Sequence, residues 1–102
     1  MKIEKIDNNY FFTPAGELSL RTESAIKKEI IDTLQNDIFY ERVTIVLKDV
    51  DFIDSSGIGM LIYINKFLNS NKKTLHLKSP VKSVLGILML GSFDRLFKIE
   101  NQ

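Results

Sequence analysis

The chain has 102 residues, 44% of them hydrophobic, a size and composition that suit one domain with one continuous core. Its 14 Lys and Arg balance 13 Asp and Glu, and the net charge of +1 gives no long-range field to gather nucleic acid or an anionic membrane. No apolar run approaches a membrane span, Met1-Lys2-Ile3-Glu4-Lys5 lacks the apolar stretch of a signal peptide, and cysteine is absent; disulfide frameworks and thiolate metal cages are excluded, and the expected compartment is the cytoplasm.

Lys2 to Asp7 and the aromatic run Tyr10 to Thr13 read as two strands around an Asn8-Asn9 turn. Pro14-Ala15-Gly16 breaks the chain. Beyond it, Thr22 is placed to cap a helix whose Ile26, Ile30, Ile31 and Leu34 recur at helical spacing. Val43 to Val50 is apolar with little alternation, the pattern of a central strand buried on both sides. From Ser56 to Ser70 a helical stripe of Gly57, Met60, Leu61, Ile64, Phe67 and Leu68 follows, and Asn69 to Lys73 ends it. Thr74 to Lys78 is a short strand. Ser79-Pro80 predicts a cap with proline at the first helical position, before the stripe Val81, Val84, Leu85 and Leu88, which stops at Gly91. Leu96 to Ile99 closes the chain as a last strand. The order β-β-α-β-α-β-α-β implies a layered α/β domain over residues 1–102, with right-handed crossovers between parallel neighbours and a strand order that the pattern leaves open.

Polar residues concentrate in Asp54-Ser55-Ser56-Gly57-Ile58-Gly59, where the central strand passes into the following helix. In open α/β sheets ligands and partners meet the chain at that edge. Asp54 or Ser55 suffices to cap the helix, which is the plain structural role of the segment. The second hydroxyl is then spare, and on the first turn a phosphate at Ser56 would lie near the positive end of the helix dipole. Gly57 and Gly59 each cost a helix about 1 kcal/mol relative to alanine, which points to a close approach by a strand or a partner. On a helical wheel centred on Ile64, Ile62 falls opposite the core and Ile58 to the side, so the two are expected to form a small apolar patch for a partner.

This segment, with the apolar strand and Phe52-Ile53 before it, resembles the signature of STAS-domain anti-sigma-factor antagonists. Gly16-Glu17-Leu18 and Gly91-Ser92-Phe93-Asp94-Arg95-Leu96-Phe97 resemble the same family, so the likeness spans nearly the whole chain. It implies a STAS fold, a mixed sheet of about five strands with three or four helices packed on it. It also implies that Ser56 is phosphorylated by an anti-sigma factor serine kinase, that a serine phosphatase reverses this, and that the unphosphorylated chain binds the kinase and frees a sigma factor. In that scheme the chain is no enzyme, needs no cofactor and inserts in no membrane; Asp54, Ser55, Gly57 and Gly59 shape the switch loop and cap, and Ile58 and Ile62 meet the partner. The family usually has aspartate after Gly-Glu-Leu, where this chain has Ser19, and Arg21 close by is either a phosphate contact or an ordinary solvated arginine. The alternative use of the same module is a scaffold or regulatory subunit of a membrane transporter, binding a partner without a phosphoswitch.

Enzyme readings are weaker. The single histidine, His76, lies in Leu75-His76-Leu77 with nothing to bring it to Ser56, and Asp54 stands where a Gly-x-Ser-x-Gly elbow needs glycine. Asp49, Asp51 and Asp54 lack a regular oxygen-ligand loop, and no Gly-Lys-Ser/Thr follows the glycines.

Overall fold

A computed structural model describes residues 1–101 of the chain. Strand β1 (Lys2–Ile6) turns through Asp7 and Asn8, both at positive φ, into the antiparallel β2 (Asn9–Thr13), with Lys2 opposite Thr13 and Ile6 opposite Asn9. Two central residues of positive φ make the hairpin turn whose twist matches the strands, and Asp and Asn tolerate it. The turn thus sits one residue earlier than the Asn8-Asn9 expected from the sequence.

Next come β3 (Gly16–Leu18), α1 (Glu23–Gln35), β4 (Arg42–Val46), β5 (Val50–Ile53), α2 (Ser55–Ser70), β6 (His76–Lys78), α3 (Lys82–Leu90), a 3-10 turn (Phe93–Arg95) and β7 (Lys98–Glu100). Among the described residues these make a five-stranded mixed sheet of order β1-β2-β4-β6-β7 and a two-stranded sheet β3-β5. Strands β2, β4, β6 and β7 run parallel. Each crossover therefore steps the same way across the sheet, and right-handed connections place α1, α2 and α3 on one face.

The expectation of a central strand buried on both sides holds for the middle of β4: Val43 and Ile45 are fully buried on the helix face and Thr44, on the other face, is 3% exposed, although its neighbours there, Phe11, Val46, His76 and Lys78, are half-buried. The run Val43 to Val50 is, however, two strands rather than one. The chain turns after Leu47, whose carbonyl accepts from the Val50 N–H, and the Gly16 N–H donates to Asp49 O to start the β3-β5 pair. Gly16 adopts φ +89, a conformation glycine allows, so the Pro14-Ala15-Gly16 breaker ends in a strand that the sequence did not reveal.

The proline-led helix start is a further correction. Ser79 donates its N–H to Glu100 O and turns at φ 56, so α3 begins only at Lys82, beyond Val81, and Pro80 precedes it. The core beneath the helices joins Phe12, Ile45 and Leu77 from the sheet, and Leu75 just before β6, to Ile30, Leu34, Met60, Leu61, Ile64, Leu68 and Leu88 from the helices.

Candidate functional site

Strand β5 delivers Asp54 to the start of α2, and the Asp54 carboxylate organises what surrounds it. Its Oδ1 accepts from the N–H groups of Ser56 (2.9 Å) and Gly57 (3.0 Å), two donors that an α-helix start leaves without partners. Its Oδ2 accepts from the Leu20 N–H across 34 residues (3.2 Å), and its own N–H donates to Leu18 O. The Gly57 N–H, followed by those of Leu20 and Ser56, holds the Asp54 carboxyl below the usual carboxylate range. Asp54 is therefore both the cap of α2 and a clamp on the loop after β3, and Ser55 is not needed for the cap.

The clamped loop also carries hydrogen bonds of its own. The Ser19 N–H donates to Thr22 Oγ1, the Ser19 hydroxyl donates to Glu17 Oε1 and accepts from the Arg21 N–H, and the Thr22 hydroxyl donates to Glu17 O. Ser19 is only 3% exposed and sits at the centre of this network. Thr22 does precede α1, but its hydroxyl serves the loop and caps no helix N–H. Arg21 is exposed.

Gly57 answers the expectation of a close approach: a Cβ there would overlap the Leu18 carbonyl oxygen and crowd Ile53 Cγ1. Gly59 does not, because a Cβ there would meet nothing within 4 Å. Ser55 is exposed and Ser56 half-buried on the first turn of α2, so the motif serine reaches the surface beside Leu20. The expected isoleucine patch is corrected by the structure. Ile58 is 7% exposed and belongs to the core, and Ile62 is partly buried against it. Two turns further on the same flank of α2, Asn65 donates to Leu96 O, so at that level the segment after α3 covers the side that a wheel leaves open.

Two exposed apolar groups on the segments tied to this helix start were missed. Leu20 is 74% exposed on the clamped loop, and Phe52, two residues before Asp54, is 52% exposed. Phe52 had no usable signal, since alternation puts it on the same face as the buried Val50. Leu20 had none either, because its place depends on the long-range bond to Asp54.

His76 lies elsewhere. It sits on the sheet face away from the helices, in register with Thr44 and Lys98, with Nδ1 3.7 Å from Glu100 Oε2. Burial first, then the nearby Arg42 charge, lowers its pKa. The sheet thus separates His76 from Ser56, and the pair needed for a serine nucleophile is not assembled.

A helix start with an outward serine, clamped to the loop after β3 and set beside a mixed sheet, makes this a small α/β domain. Residues 1–102 match the family model described as STAS domain, and the chain belongs to that family. It is 32% identical over 94 residues to a candidate anti-sigma factor antagonist of Thermotoga maritima, covering 92% of this chain and 82% of that protein. A crystal structure of a candidate anti-sigma factor antagonist from that organism superposes with a TM-score of 0.91 at 29% identity, over 99% of this chain and 86% of that one. Two structures share the fold at lower identity. The anti-sigma factor antagonist SpoIIAA in its unphosphorylated form gives a TM-score of 0.73 at 17%, over 96% of this chain and 84% of that one. The murine anion transporter Slc26a9 gives 0.80 at 15%, over 94% of this chain and 16% of that one. No helix among the described residues is long and apolar enough to cross a membrane.

Proposed function

We propose that this chain is an anti-sigma-factor antagonist that binds an anti-sigma factor serine kinase when Ser56 is unmodified and releases it when Ser56 is phosphorylated. The observation that carries the reading is the Asp54 clamp: one carboxylate satisfies the helix start and holds the loop that bears the exposed Leu20, leaving the Ser56 hydroxyl without a structural duty. The relationship to the Thermotoga protein supports it. In the phosphorylation step the γ-phosphoryl group of ATP passes to Ser56 Oγ on the kinase, ADP leaves, and a base of the kinase takes the hydroxyl proton. A phosphatase returns the serine by hydrolysis. The chain is substrate and ligand in this cycle and does no chemistry itself. Ile58 has no part in the contact surface; Leu20, Phe52 and the outer edge of Ile62 take its place.

A phosphate at Ser56 would be desolvated in the interface beside the Asp54 carboxylate. Burying an imperfectly paired charge costs about 2 to 5 kcal/mol, so affinity for the kinase falls roughly 30-fold to several thousand-fold. Titration calorimetry against the cognate anti-sigma factor tests this. Ser56→Ala is expected to bind like the unmodified protein and resist phosphorylation, and Ser56→Asp to bind weakly, a carboxylate having part of the phosphate charge. Equal affinity of wild type and Ser56→Asp would remove Ser56 as the switch and favour the scaffold or transporter-subunit role.

A further inference from the structure

Three N–H groups converge on the one carboxylate of Asp54: Ser56 and Gly57 on Oδ1, and Leu20 on Oδ2. A phosphate on Ser56 carries about −1.5 to −2 charge and strong acceptor oxygens. It is attached to the second residue of α2, within reach of the same helix-start donors, and it repels the carboxylate that holds them. The loop on the far side of the clamp has no other hydrogen bond from its Leu20 N–H, while Ser19, Arg21 and Thr22 are held by the loop's own hydroxyls.

We infer that the Asp54–Leu20 hydrogen bond is the element through which modification of Ser56 alters the shape of the surface: the phosphate takes over the Ser56 and Gly57 donors, Asp54 swings away, and Leu20 is released. This rests on the phosphoswitch proposed above and deepens it. The partner then meets two changes at once, a new charge and an exposed leucine that no longer holds its position. The remaining contacts confine the movement to the loop. Gly57 against the Leu18 carbonyl and the Asp54 N–H to Leu18 O keep β3 seated on α2.

Amide hydrogen exchange followed by NMR tests the inference on the full chain in three forms: unmodified, carrying phosphoserine at position 56, and Asp54→Asn. Asparagine keeps an oxygen to cap α2 but turns an NH2 group, which cannot accept, toward Leu20. In both altered forms exchange at Leu20 is expected to rise about five- to tenfold, the worth of one lost hydrogen bond, with Ser56, Gly57 and the central strands β4 and β6 still protected. Unchanged or slower exchange at Leu20 in the phosphoserine form overturns the inference, since it would mean that the phosphate points to solvent or that Arg21 grips it and tightens the loop. Loss of protection in β4 and β6 overturns it too, showing that the domain melts instead. Failure of the switch itself reads out differently: the phosphoserine form would then bind the cognate anti-sigma factor as tightly as the unmodified chain, whatever Leu20 does.

Discussion

Gly57 and Gly59 are two residues apart on α2 and stand in opposite surroundings. At Gly57 the added methyl of alanine collides with backbone, which cannot step aside as a side chain can. Gly57→Ala should cost about 1 to 3 kcal/mol or more, the range for overpacking a closed site. At Gly59 the methyl points into open space, and Gly59→Ala should gain about 0.5 to 1 kcal/mol by helix propensity alone. Urea unfolding of the two variants beside the wild type checks both, and destabilisation by Gly59→Ala would mean that the residue is crowded. The spacing of glycines in the sequence carries no information on this difference, since the atoms that decide it belong to Leu18, 39 positions away. The Asp-Ser-Ser-Gly motif itself was legible because helix starts obey local rules, and Asp54 caps α2 as those rules require. Ile58 was misplaced because a helical wheel gives a direction and says nothing of what lies in that direction.

At the scale of elements, the hairpin, the three helices and the central strands followed from periodicity and turn residues. The β3-β5 pair did not, because three and four residues are too few to show a period, and their apolar Val50 merged with the run before it. A second feature invisible to pattern reading is Asn65, a polar residue in the buried stripe of α2. It is 5% exposed, its Oδ1 accepts from the Leu75 N–H and its Nδ2 donates to Leu96 O, so it ties α2 to the start of β6 and to the segment leading into β7. Asn65→Leu keeps the branched skeleton of the side chain, adds some bulk and strands both backbone groups. The expected loss is about 1 to 3 kcal/mol for each orphaned group, read as a lower urea midpoint with an unchanged slope. A neutral result would show that water reaches Leu75 and Leu96.

Across the whole molecule, the serine loop lies at the carboxyl end of β5, and the opposite edge of the sheet is closed by a polar pin that joins three parts of the chain. Asp37, in the connection from α1 to β4, accepts from Lys5 Nζ on β1 and from the Tyr10 hydroxyl on β2, each at 2.6 Å, and from the Phe39 N–H at 2.8 Å. Lys5 first, then Tyr10 and the Phe39 N–H, pull the Asp37 pKa from 3.8 to about 2. Burial first, then Asp37, pushes that of Tyr10 from 10.0 to about 12. A carboxyl depressed by folding stabilises the fold above its ordinary pKa, and that contribution fades as pH falls from 3.8 toward 2. A phenol raised by folding works in the other direction: its contribution is complete below pH 10 and fades as pH climbs toward 12. The pin should thus act fully from about pH 4 to 10 and weaken at both ends. Asp37→Asn is expected to flatten the acid limb of a plot of urea midpoint against pH, leaving the part that belongs to the similarly depressed Asp54. It should also shallow the alkaline limb, since Asp37 is one cause of the Tyr10 shift, and Tyr10→Phe should shallow that limb further while leaving most of the acid one. If Asp37→Asn leaves both limbs unchanged, the pin does not form in solution. Because the pin and the serine loop share no partner, its removal should leave the effect of Ser56 phosphorylation on partner affinity as it is in the wild type, the two changes adding independently.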